Sequence, residues 1–222
     1  MTVTRKWGLS PVFTGLFCTV LLIVSRFISL YPLISSRLGA VNTVIIIVAL
    51  CECVHLVRGT SAMFYNHVWN NIPGTILFAM PVSNLLVTAI QLFFNNQTVM
   101  LSAYFTGFLT LVSLPAFFCY YFTFYIKNSV KNNSWLKNAT LAKVLTTVLP
   151  VMGALYTLIR FLDKSLFPYL STKSVAVPEI LAKIVSCSSS VSFGMYFLAA
   201  AGFVIMGISA AAKNKRTNKT EE

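Results

Sequence analysis

Of the 222 residues, 57% are hydrophobic and only 10% are charged, where soluble domains carry about a quarter charged residues, so a water-soluble fold is excluded. Seventeen Lys and Arg against five Asp and Glu make the chain +12. These cations stand at the ends of apolar blocks, without interleaved exposed aromatics or a Gly-rich phosphate loop. The partners they imply are the lipid bilayer and its anionic headgroups, with no nucleic acid.

Six apolar blocks are each long enough to cross a hydrocarbon core of roughly 30 Å at 1.5 Å per helical residue. The predicted spans are 9–34, 40–57, 74–94, 99–126, 144–162 and 188–212, with a short basic cytoplasmic tail at 213–222. The expected fold is all-α: one polytopic transmembrane helical bundle with short loops and one or two interfacial amphipathic segments.

In the first span, Arg5 and Lys6 precede an apolar run from Leu16 to Val24 that imitates a secretory signal. The run continues past Arg26 to Ile34 without a small-x-small cleavage site, so an uncleaved span is expected. A tight turn from Ser35 to Gly39 makes spans one and two antiparallel neighbours, and 95–98 does the same for spans three and four. Residues 58–73, polar with Met63, Phe64, Tyr65, Val68 and Trp69 interspersed, have the composition of a segment at headgroup level. After Pro178, which can open a helix, Val177, Ile180, Leu181 and Ile184 recur at helical spacing and predict a surface helix over 175–185. Pro81, Pro115 and Pro150 fall within apolar blocks, where ordinary kinks are expected before broken transport helices.

Orientation follows from the cations. With the N-terminus inside, eleven lie on inner segments (Arg5, Lys6, Arg58, Lys127, Lys131, Lys137, Lys143, Lys213, Lys215, Arg216 and Lys219). Five lie on outer ones, namely Arg37, Arg160, Lys164, Lys173 and Lys183. Both ends are therefore expected in the cytoplasm, of a bacterial inner membrane or of an endoplasmic reticulum, which the charge pattern does not distinguish.

Ionisable groups inside a bilayer cost roughly 2.5–3.5 kcal/mol each by insertion scales, and Arg26, Glu52 and His55 are the ones present. Glu52 and His55 share a face of span two, and Arg26 on span one is the natural countercharge for a proton or cation site. The vertical gap from Arg26 to Glu52 is roughly 9 Å, so the preferred reading has Arg26 reaching one interface and the other pair the opposite one. A metal is not expected, because Cys51 and Cys53 stand about 200° apart on a helix, and no cofactor is implied. The remaining cysteines, Cys18, Cys119 and Cys187, also sit in or beside apolar blocks as small hydrophobes.

Asn84, Thr88 and Gln91 form one polar face on span three, either a solute path or helix-to-helix hydrogen bonds. Ser186, Ser190 and Gly194 repeat at the small-residue spacing that lets helices pack closely. No catalytic set emerges: His67 belongs to the interfacial segment, and Asp163 is placed to pair with Arg160. The expected function is a non-enzymatic membrane-complex subunit or organiser that meets lipid, other membrane proteins or copies of itself. The alternatives are a small solute or ion carrier with a polar path, and an unidentified membrane-embedded enzyme.

Overall fold

The computed structural model describes residues 10–64, 72–93, 114–131, 139–174 and 176–220. These form helices α1 (Ser10–Leu30), α2 (Pro32–Phe64), α3 (Ile72–Phe93), α4 (Leu114–Lys131) and α5 (Ala139–Phe161). The short helices α6 (Phe167–Thr172) and α7 (Glu179–Ser186) follow, then the long α8 (Ser188–Thr220). No strand occurs among the described residues. Among the described residues, four helical stretches are long and apolar enough to cross a membrane: Ser10–Leu30, Pro32–Thr60, Ala139–Phe161 and Glu179–Ala211. In α3 the apolar stretch is shorter, Ile72–Leu86. Residues 99–113, the first part of the predicted fourth span, lie outside the described residues, as do 65–71 of the predicted interfacial segment and 95–98 of the second predicted turn.

α1 is apolar on the side it exposes. Phe13, Phe17, Val20, Val24 and Phe27 are all more than two-fifths exposed, while Val12, Leu22 and Ile28 are buried together with the small residues Gly15, Cys18, Thr19 and Ser25. A surface helix of a soluble protein is polar outward; large apolar residues outward, with small and weakly polar residues mixed into the buried side, suit a lipid surround.

The first helix is shorter than the predicted 9–34 span. Pro32 has no N–H to donate and disfavours helical geometry at the residue before it, so the chain breaks at Tyr31 and Pro32 opens α2. Consequently the predicted turn from Ser35 to Gly39 is helical, with a kink where Leu38 leaves helical geometry at φ −108°, ψ 18°. At its other end α2 continues to Phe64, so residues 58–64 of the predicted interfacial segment prolong the helix.

Contacts fix the directions of the helices. Asn42 of α2 donates to Ser29 of α1 at 3.3 Å, and further along the pair the sulfurs of Cys18 and Cys53 are 3.2 Å apart. α8 runs antiparallel to α1: Arg26 meets Ser192, Phe27 stacks edge-on with Phe193 at 4.9 Å, and Val12 lies against Gly207. The end where α1 begins and α8 finishes is called proximal here, and the other end distal.

The core lies between α1, α2, α4 and α8, around Phe203. Phe118, Tyr121 and Phe122 of α4 surround its ring at centroid distances of 6.1, 5.8 and 5.0 Å. Gly15 admits that ring, since any side chain there would overlap it. Thr60 of α2 and Tyr121 of α4 share a buried hydroxyl hydrogen bond of 2.8 Å. α5 packs on α4 through Gly153, which lies against Cys119 and Ala116. Pro81 and Pro150 lie inside continuous helices, whereas Pro115 is the second described residue of α4.

Past α5, a π-helical turn at Leu162–Leu166 holds Asp163 3.4 Å from Arg160, the local ion pair anticipated from their spacing. α7 begins directly after Pro178, with Glu179 and Lys183 paired at 2.7 Å and placed favourably for the helix dipole. α8 continues helically through the basic segment to Thr220.

Candidate functional site: a cationic chamber at the distal end

A chamber of about 190 Å³ opens among α1, α2, α3, α4, α5 and α8. Ser25, Arg26 and Ser29 come from α1, Ile46 from α2, Asn84 from α3, Pro115 from α4, Tyr156 and Arg160 from α5, and Tyr196 from α8. Helical spacing explains the cluster. Ser25 and Ser29 are four apart, as are Tyr156 and Arg160, so each pair presents one polar stripe at one helix end.

Arg26 is four residues from the end of α1, about 6 Å along the axis rather than the roughly 12 Å implied by a span to Ile34. Its guanidinium donates to the Ser192 hydroxyl at 2.6 Å, and Ser192 is fully buried. Among the described residues Arg26 has no carboxylate within ion-pair range. A second cavity, of about 180 Å³, is lined by Arg26 together with Ser29, Leu30, Ser190 and Phe193.

Two guanidinium groups therefore line the chamber, and none of the described residues lining it is acidic. Arg160 has its partial counterion, Asp163, at 3.4 Å outside the lining. Tyr156 is only 2% exposed, and its hydroxyl has no hydrogen-bond partner among the described residues. A buried hydroxyl left without a partner costs about 1–3 kcal/mol. The chamber thus combines two arginines with no lining carboxylate, which is the chemistry that receives an oxyanion.

Glu52 and His55 lie elsewhere. The Ser29–Asn42 and Cys18–Cys53 contacts put Glu52 level with about Thr19, seven residues or about 10 Å from Arg26. Glu52 is half-buried and His55 exposed, and among the described residues neither has an ion-pair or hydrogen-bond partner. Cys51 is exposed while Cys53 is buried against Cys18, as their angular separation requires. No group of three or more metal-ligating side chains occurs among the described residues.

The polar face of α3 reaches the chamber through Asn84 alone among its described side chains. Asn84 also donates to the Met80 carbonyl, and Thr88 to the Asn84 carbonyl. The side chain of Gln91 lies outside the described residues. Ser186, Ser190 and Gly194 are exposed, Ser186 on α7 and the other two on α8 beyond the break at Cys187; a Cβ at Gly194 would meet nothing within 4 Å. Close helix approach falls instead at Gly15, Gly153 and Gly202, the last lying against the Phe122 ring.

Sequence reasoning missed Arg160, Tyr156, Ser25, Ser29 and Tyr196 as members of one site. The available signal was the i, i+4 polar pairs near the ends of the first and fifth predicted spans. Compared with known proteins, the chain matches no family model, no curated protein and no solved structure.

Proposed function

We propose that this chain is a multi-pass integral membrane protein, a non-enzymatic subunit or organiser whose distal chamber holds an anionic group. The carrying observation is Arg26, held near the chamber by Ser192 with no carboxylate in range among the described residues. An uncompensated guanidinium in a low-dielectric surround favours an external counter-anion. Among the described residues six helices of 18 residues or more alternate in direction, which supports six crossings with both ends on the cytoplasmic side, as the charge pattern suggests.

A carrier is the second reading, favoured by Asn84, which brings the polar face of α3 into the chamber. Against an open path, the bundle proximal to the chamber is closed by Cys18, Cys53, Phe117, Tyr121 and Phe203, all fully buried.

The test is calorimetric titration of the full chain, in phosphatidylcholine nanodiscs, with inorganic phosphate. Binding to wild type that Arg26→Gln abolishes supports the reading; absence of binding to wild type refutes it. Phosphate flux across liposomes that Asn84→Leu stops would establish the carrier instead.

A further inference from the structure

A larger crevice, of about 310 Å³, lies between α4, α5 and α8, and its lining is almost wholly apolar. Pro115 lines both this crevice and the cationic chamber, so the two are neighbours at that residue of α4. From there the crevice follows α4 past Phe118 and Phe122 to Ile126. The eleven residue steps from Pro115 to Ile126 cover about 16 Å of helix, close to one leaflet's half of a roughly 30 Å hydrocarbon core. Leu198 and Ile205, at its α8 rim, are 63% and 55% exposed. The crevice is thus reachable sideways from the surrounding lipid.

We infer that the chamber and crevice together bind one anionic phospholipid of the distal leaflet, its phosphate in the chamber and one acyl chain in the crevice. This rests on the anion-binding reading above and supplies its ligand class. Charge complementarity identifies the head: two arginines with no lining carboxylate suit a phosphate and offer no anion to a choline. Adjacency of the crevice to the chamber at Pro115 identifies the tail. A free phosphate would use the chamber and leave the crevice unexplained, whereas a lipid fills both at once, with its chain directed from the distal end towards the middle of the bilayer. The crevice contributes apolar contact and exclusion of water, and the arginines select charge.

Native mass spectrometry of the full chain, released from phosphatidylcholine nanodiscs doped with phosphatidic acid, tests this. Wild type is expected to retain a single phosphatidic acid and no phosphatidylcholine, and Arg26→Gln to lose that adduct. Leu149→Trp, which fills the crevice from α5, is expected to lose it as well. Ile205→Trp, at the exposed rim, gives the same loss if Leu149→Trp does not fold. Retention of phosphatidic acid by both tryptophan variants would overturn the inference. Wild type that binds inorganic phosphate yet retains no phosphatidic acid would also overturn it, leaving the anion chamber standing; failure of both ligands sinks both readings.

Discussion

The thiols of Cys18 on α1 and Cys53 on α2 stand 3.2 Å apart, sulfur to sulfur, and both are completely buried. Cys18 also reaches the Ala49 carbonyl, one turn away on the same face of α2. Mild oxidation of the membrane-embedded protein with diamide is therefore expected to join Cys18 to Cys53. Each thiol loses a proton and an electron, and diamide is reduced. Peptide mapping after alkylation reads the pairing. A bridge from Cys18 to the exposed Cys51 instead would show that α2 is rotated from the arrangement described here.

Gly15→Ala is expected to destabilise the protein by about 1–3 kcal/mol, the usual cost of overpacking a filled core, because the added methyl meets the Phe203 ring. Thermal unfolding in detergent measures it. Phe203→Leu in the same chain should recover part of the loss; two strictly additive penalties would mean that the residues do not touch.

The Thr60–Tyr121 hydrogen bond ties α2 to α4 inside the core. Removing it with Tyr121→Phe should cost about 0.6–1 kcal/mol, the range for such bonds in membrane and soluble proteins. Thr60 retains its bond to the Leu56 carbonyl, so it is not stranded. In a double-mutant cycle with Thr60→Val, the pair should lose less than the sum of the single variants.

Glu52 is about 10 Å along the bundle from Arg26 and does not line the chamber. Glu52→Gln is accordingly expected to leave phosphate affinity unchanged, while Asn84→Leu, which replaces a polar wall of the chamber, weakens it. Titration calorimetry of the two variants side by side decides the point. Weaker binding in Glu52→Gln would return Glu52 to the site.

Much of the helical content was legible in hydropathy. The block read as 74–94 is the helix Ile72–Phe93, and that read as 144–162 is Ala139–Phe161, because lipid obliges the backbone to satisfy its own polar groups in helices. Pro32 was equally visible, yet the apolar run across it concealed the break at Tyr31. The Arg160–Asp163 pair followed from spacing, since a helix fixes i, i+3 geometry locally.

Arg26, Tyr156 and Arg160 were plain as residues but not as neighbours. In water, an apolar stripe tells which face of a helix turns inward; here α1 is apolar outside as well as inside, and its buried side differs only by the small residues mixed into it. Sequence alone therefore determined that the chain forms helices long and apolar enough to cross a membrane and, within several residues, where many of them lie. Only the tertiary packing decided which sides meet, placing Arg26 with Arg160 and away from Glu52, because helix association in lipid is governed by shape and hydrogen bonding between surfaces whose hydrophobicity barely differs.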